Sequence, residues 1–539
     1  MALLKRLSSG YLQGLTSFFS LEYLLFFLPL AIVGYSVTPK KLKKYALLLG
    51  SLGFFLLISG TLVLYLILTA LSVWGFGLWM GAIHEKKNAA VKAAEKSQRK
   101  AVRAEYTKRC RMVLSLAAVL HIGGLLVLKY SGFFMENVNL IAGTGYPVPS
   151  FVLPIGISFF TLQAVSYLYD VYNGTIQADR NFFRIALFLA FFPQIVEGPI
   201  CRYRQTADQL WNVGPITGEN LTLGLQRILY GMMKKIVVAD RLNAFVGAVF
   251  TDYATLPGSV IALGALCYTI QLYMDFSGAM DAVVGTGQIF GVTMPENFQR
   301  PFFSRTISEF WTRWHISLGT WFKDHIFYPV TMSKSMKNLT SAARKRIGNH
   351  FGPLVAGSIA LFCVWFSNGL WHGAAWNYIF FGMYHFALIL TGNLIAPAAK
   401  QFHEKFNIQP DNRPFRIFQI LRTGVLVVIG ELFFRAEGFL NGIRMFLRMV
   451  AVPQFGFVNA ELLTTLGMDP KDFLITFVTL LIVFGVSLAN ERGICLRQEL
   501  QKKSTPLRWA VLYALIFYIL IFGAYGEGYI PVDPMYANF

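Results

Sequence analysis

Apolar residues gather along the chain in runs that approach the ~20 residues a helix needs to cross ~30 Å of hydrocarbon. The clear runs are 18–37, 45–58, 61–83, 112–134, 354–366, 376–396, 415–434, 473–490 and 508–526. Run lengths predict an all-helical, polytopic membrane protein with roughly eleven transmembrane helices, besides re-entrant or interfacial segments. The first run lacks a small-residue cleavage site after it, so it is expected to stay as the first span rather than leave as a signal peptide. Between 151 and 330 the pattern loosens, and apolar stretches mix with Pro, Gly and buried-looking polar residues. Non-helical backbone survives at membrane depth only inside protein or beside a cavity, which makes this region the expected functional core.

Polar positions fix the expected orientation. The link Lys40-Lys41-Leu42-Lys43-Lys44 is basic, 84–111 holds ten Lys/Arg against three acids, and Lys334 to Arg346 has five basic residues and no acid. The positive-inside rule places all three in the cytoplasm and the N-terminus outside. The basic stretch 491–508 then makes the last helix run outward, with 527–539 as an external tail. Residues 86–111 are read as a helical hairpin or surface helix, a solvated cytoplasmic segment in preference to an anionic-lipid site. The net charge of +20 therefore points to membrane topology and not to nucleic acid. Only 14% of residues are charged against 55% hydrophobic, where a soluble domain carries about 25% charged residues. Five scattered cysteines without CxxC spacing support neither a disulfide framework nor a metal site. No internal repeat is visible, which argues against inverted-repeat transporters.

Histidine carries the candidate chemistry. His84, His350 and His403 stand in charged or loop surroundings and are expected to be solvated, and His121 in an apolar run suits a helix-to-helix hydrogen bond. His315, His325, His372 and His385 fall around the irregular core. Ionisable groups inside a membrane are costly, and so point to function. In Asn368-Gly369-Leu370-Trp371-His372-Gly373-Ala374-Ala375-Trp376, small residues let a substrate or a second backbone approach the imidazole, and two indoles offer an apolar wall. A neutral His372 there could act as general base, or it could simply pack helices. In Glu309-Phe310-Trp311-Thr312-Arg313-Trp314-His315, the i,i+4 pairs Glu309/Arg313 and Trp311/His315 fit an amphipathic helix at the cytoplasmic interface. On these residues alone an interfacial anchor is the preferred reading. Asp275 and Asp281 could orient a histidine or, more simply, pair with Arg300, Arg305 or Arg313.

Taken in series, several stretches resemble the membrane-bound O-acyltransferase family, in its bacterial branch of alginate and peptidoglycan O-acetyltransferases and teichoic acid D-alanyl transferases. They are Leu126-Val127-Leu128-Lys129-Tyr130, Leu153-Pro154-Ile155-Gly156-Ile157-Ser158-Phe159-Phe160-Thr161, Phe192-Pro193-Gln194 through Gly198-Pro199-Ile200, and Gly224-Leu225-Gln226-Arg227. Asp275-Phe276-Ser277-Gly278, Pro295-Glu296-Asn297-Phe298, Phe310-Trp311-Thr312-Arg313-Trp314-His315 and Gly369-Leu370-Trp371-His372-Gly373 continue the pattern. The resemblance implies one membrane domain over 1–539, with a catalytic core at 151–396 and a tunnel joining a cytoplasmic donor to an external acceptor. It makes His372 the catalytic base and His315 a second tunnel histidine, with Trp311, Trp314, Asn368, Trp371 and Asp275 as substrate-binding residues. It implies an acyl thioester donor, acetyl-CoA or an acylated carrier protein, with no bound cofactor and no metal. The implied partners are an extracellular SGNH-like transferase, a cytoplasmic acyl carrier protein in the carrier case, and membrane lipid, with no nucleic acid. The product would be an ester on a cell-envelope polysaccharide, with D-alanyl transfer to teichoic acid as the alternative within the family and a transporter or flippase as the rival outside it.

There are departures. Lys323-Asp324-His325 replaces a more usual Arg-Asp-Tyr, Tyr328-Pro329-Val330-Thr331-Met332 lacks the Gly pair of alginate-type members, and Glu431 stands where an aromatic is common. They leave the family resemblance intact and argue against assuming alginate as acceptor. The ending Met535-Tyr536-Ala537-Asn538-Phe539 resembles the aromatic-Tyr-x-x-Phe terminus of acetyltransferase members, which a small separate peptide carries in D-alanyl systems. Tyr536 is accordingly expected to act as a covalent acyl relay, on a tail that Pro531 and Pro534 stiffen.

Overall fold

The computed structural model describes residues 17–454 and 459–525, with Leu15, Tyr529, Pro531 and Val532. Among the described residues every apolar run lies mainly on helix, and the only β-pairing is an isolated antiparallel bridge between Phe298 and Trp314. Eight helical stretches are long and apolar enough to cross a membrane, and Glu22–Val37 adds a shorter apolar helix. The first of the eight, Lys40–Ala93, is broken at Gly60 into the helices Lys43–Ser59 and Val63–Ala93. The basic segment 84–111 is a helical hairpin: Val63–Ala93 runs on past its apolar part, and Arg99–Ala118 returns.

The chain divides into two compact units, one of residues 17–225 and 282–295 and one of 226–281 and 296–532. The first unit is packed around aromatic rings, with Phe27 4.7 Å from Phe54 and 5.2 Å from Phe192. Its helix Ile157–Asn173 is buried over most of its length and begins at Gly156, whose φ is 72°. A Cβ at Gly156 would lie 1.7 Å from the Ile195 carbonyl oxygen, so both the left-handed turn and the close backbone approach require glycine.

The second unit holds the four histidines expected around the core, His315, His325, His372 and His385. Two helices, Lys334–His372 and Trp376–Lys405, form an antiparallel pair joined by Gly373, Ala374 and Ala375. A Cβ at Gly382 would meet the Trp365 carbonyl oxygen at 2.3 Å, and one at Gly369 would meet that of Tyr378 at 2.6 Å. Small residues let two backbones touch, the main source of helix association where water supplies no hydrophobic drive. The basic stretch from Lys334 belongs to the same helical run, which turns sharply at Gly348 (φ 85°). Exposure grades the spans: the apolar window of Gly258–Ile289 is 72% buried, whereas that of Thr505–Phe522 is 6% buried and presents its side chains outward.

Candidate functional site

His315 does not sit on the edge of an interfacial helix. The expected continuous helix is two short ones, Ile307–Arg313 and Ile316–Phe322, with His315 between them at φ 46°, ψ 50°. Trp314 and Trp321 are buried too, which an anchor at the interface would not require. What holds the turn is the preceding loop. Asn297 accepts hydrogen bonds from Ile316 N–H through its carbonyl (3.1 Å) and from Ser317 N–H through its side chain (3.0 Å), and Gln299 N–H donates to the Arg313 carbonyl at 2.9 Å. Two donors left over at the start of a helix are thereby satisfied from outside it, which makes the left-handed conformation of His315 affordable. The imidazole is buried against Phe276 at 4.9 Å and Trp371 at 5.5 Å. Burial pushes it down to about 3, so it is neutral at physiological pH.

His372 is the last residue of its helix. Its ring lies 5.0 Å from Trp371, 5.1 Å from Phe434 and 6.0 Å from Phe381. Trp371 thus touches both imidazoles and ties His315 and His372 into one cluster. Of the two indoles flanking His372 in sequence, Trp371 packs on the ring at 5.0 Å, whereas Trp376 is 56% exposed. Phe434 is set in place by Asn377, whose amide donates to the Phe434 and Ala436 carbonyls at 3.1 and 3.3 Å. Asn368, one turn before His372, is buried with a side-chain oxygen that has no partner among the described residues.

A third imidazole extends the cluster. Trp311 donates its indole N–H to His385 Nδ1 at 3.2 Å, so Nδ1 is unprotonated and the neutral ring carries its proton on Nε2. His385 also packs on Trp365 and Phe381, at 5.4 and 4.7 Å. A Cβ at Gly430 would stand 2.8 Å from His385 Nε2, and next in sequence Glu431 is buried with one carboxylate oxygen that has no partner among the described residues. His325 stays apart, stacked on Trp321 at 4.6 Å. His84, expected to be solvated, is half-buried and meets Lys87 Nζ at 2.8 Å and Cys110 Sγ at 3.7 Å.

The carboxylates take other partners than expected. Asp275 pairs with Lys235 at 2.8 Å, and Lys235 also pairs with Asp240 at 2.9 Å. Asp281 pairs with Arg227 at 2.9 Å and with Lys234. Arg300 and Arg313 bind Glu491 instead, and Arg305 binds Asp411. Sequence spacing could not foresee this, because Lys234 and Lys235 lie on a wide-turn helical stretch, Met233–Ala239, far from both aspartates in the chain. The Lys235 cluster also holds Val532: Lys235 Nζ donates to the Val532 carbonyl at 2.6 Å and Val532 N–H donates to Asp240 at 2.8 Å. Tyr529 donates to Asp472 at 2.9 Å. Tyr536 lies outside the described residues.

Sequence reasoning quoted Asn297 within a family motif without giving it a role, and left out Asn377, Phe381 and Phe434. Glu431, a lone charge in an apolar run, was the available signal for the His385 end.

The sequence model of the membrane-bound O-acyltransferase (MBOAT) family matches residues 175–344. A probable alginate O-acetylase, AlgI, of Pseudomonas syringae pv. tomato is 30% identical over 469 residues, covering 86% of this chain and 80% of the relative. The peptidoglycan O-acetyltransferase of Helicobacter pylori is 29% identical over 68% of each chain. The teichoic acid D-alanyltransferase of Bacillus subtilis is 28% identical over 54% of this chain and 71% of its own.

Proposed function

The chain belongs to the membrane-bound O-acyltransferase family and is a multi-pass membrane enzyme that transfers acyl groups to hydroxyls; from that premise we propose that it moves an acetyl group from a cytoplasmic thioester to a cell-envelope polysaccharide. This reading leaves no place for the transporter alternative. The relatives named for alginate, peptidoglycan and teichoic acid support an envelope polymer as acceptor. The observation that carries the proposal is the pair of buried imidazoles, His315 and His372, on one indole, Trp371.

In this proposal His372 is the general base. It takes the proton of a hydroxyl as that oxygen bonds to the thioester carbon. The carbon–sulfur bond then breaks, and the imidazolium returns its proton to the departing thiolate, so that thioester and alcohol become ester and thiol. His315, neutral because it is buried, positions or polarises the carbonyl from the other side of Trp371. Trp311, Trp314 and Asn368 line the approach, and Asn368 offers an acceptor for a donor on the substrate. Asp275 acts through Lys235, which grips Val532, so its place is in holding the tail rather than in contact with the acyl group. That grip supports the tail reading, in which Tyr536 is the first hydroxyl acylated and an extracellular transferase takes the group on.

The test is His372→Ala in cells, with mass spectrometry of the envelope polymers. Loss of a general base costs about 10²–10⁴-fold in rate, so the ester mass should vanish while the protein still inserts. An unchanged ester content would overturn the assignment, and a D-alanyl mass in place of acetyl would move the acceptor to teichoic acid.

A further inference from the structure

A cavity of 860 Å³ lies in the second unit, and none of its lining residues is His315, His372 or His385. Sites of about 300–1,000 Å³ take drug-sized ligands. Tyr273 and Phe298 line the cavity on the side of the histidines. Phe298 packs at 5.0 Å on Phe276, which in turn packs on His315. These rings form a partition. A thioester bound in the cavity would have them between its carbonyl and the imidazoles, so the space does not suit the acyl donor.

The polar floor is largely satisfied from within. Arg227 is held by Asp281 and Glu296, Lys234 by Asp281 and Ser277, and Arg300 by Glu491. Gln226 and Lys503 are among the groups that are not. Gln226 is buried, and its carboxamide oxygen has no partner among the described residues; that atom only accepts, so a ligand must bring a donor to it. At the rim Glu499 is taken by Lys502 at 2.6 Å, which leaves Lys503 with no ion pair among the described residues. Arg497 lines the cavity beside it. The outer wall is aliphatic, with Val511, Leu512 and Leu515 contributed by the helix whose apolar window is only 6% buried. Val511 itself is half-exposed. The cavity is therefore open sideways to whatever surrounds that helix, which for a spanning helix is hydrocarbon.

We propose that this cavity binds an anionic phospholipid of the phosphatidylglycerol type. Arg497 and Lys503 hold the phosphate, a headgroup hydroxyl donates to Gln226, and one acyl chain lies along Val511, Leu512 and Leu515. Basic side chains next to the end of a spanning helix meet anionic headgroups at the depth where those headgroups lie. A hydroxyl donor satisfies the buried carboxamide, which a choline headgroup cannot do.

The full-length protein in neutral detergent, exposed to dioleoyl-phosphatidylglycerol or dioleoyl-phosphatidylcholine and examined by native mass spectrometry, tests this. Phosphatidylglycerol should be retained and phosphatidylcholine should not. Arg497→Gln with Lys503→Gln should weaken retention about thirtyfold, and Lys503→Gln alone, at an exposed position where misfolding is not at issue, about fivefold. Val511→Trp fills the groove and should weaken it with the cations intact. Equal retention of the two lipids, or variants that bind like the wild type, would overturn the proposal. So would displacement by glycerol phosphate as effective as by the lipid, which would make the cavity a plain anion site. Displacement by acetyl-CoA would make it a donor entrance and overturn the proposal as well.

Discussion

His315 and His372 share an indole but are held by different means. His372 stands at a helix end, fixed by Phe381 and Phe434, so its ring is directed by packing. His315 owes its direction to a backbone conformation costing about 1–2 kcal/mol that Asn297 stabilises with two hydrogen bonds. His385 is fixed in one tautomer by the Trp311 indole. These are three ways of orienting an imidazole. Tyr536 can be tested at this scale, because Tyr536→Phe keeps the ring and removes only the hydroxyl. If the phenol carries the acyl group, polymer esterification should fall to background while the protein remains in the membrane. Wild-type esterification by this variant would show that Tyr536 is no relay.

At the scale of elements, the antiparallel pair Lys334–His372 and Trp376–Lys405 depends on backbone contact at Gly369 and Gly382. Gly382→Ala drives a Cβ to 2.3 Å from the Trp365 carbonyl, and neither backbone can yield without moving its helix. The expected loss is about 1–3 kcal/mol of stability, read as a lower unfolding temperature in detergent, with a fall in turnover because His372 moves with its helix. The ion cluster on Met233–Ala239 sets a second test. Lys235→Met leaves Asp240 and Asp275 buried without their shared cation, a change that costs about 3–5 kcal/mol, and it also removes the donor to Val532. Limited proteolysis should then cut the chain after the last helix sooner than in the wild type. Unchanged cleavage would mean that the tail is held elsewhere. The stretch Glu309 to His315 shows why elements were only partly legible. The i,i+4 spacing of Trp311 and His315 is real in the sequence, but the break between Arg313 and Ile316 comes from a loop about twenty residues upstream.

At the scale of the whole molecule, the charge pattern predicts that Lys334 to Arg346 faces the cytoplasm. Ser341→Cys in a background lacking the five native cysteines should resist impermeant thiol reagents added to intact cells. Labelling from outside would reverse the orientation and the donor side with it. The sequence by itself determined the class of molecule: apolar runs long enough to span, basic links between them, and ordered motifs that place the chain in its family. Those features depend on local composition and on order along the chain, and no folding is needed to read them. It also singled out His315, His372 and Trp371. Only the tertiary structure decided that Trp371 packs on both histidines, that His385 and Glu431 extend the cluster, and that Asp275 pairs with Lys235 and Asp281 with Lys234 and Arg227 rather than with Arg300, Arg305 or Arg313. The reason is physical. A buried charge must find an opposite charge wherever the packing of helices brings one, and that packing is settled by glycine contacts, wide turns and caps contributed by distant parts of the chain.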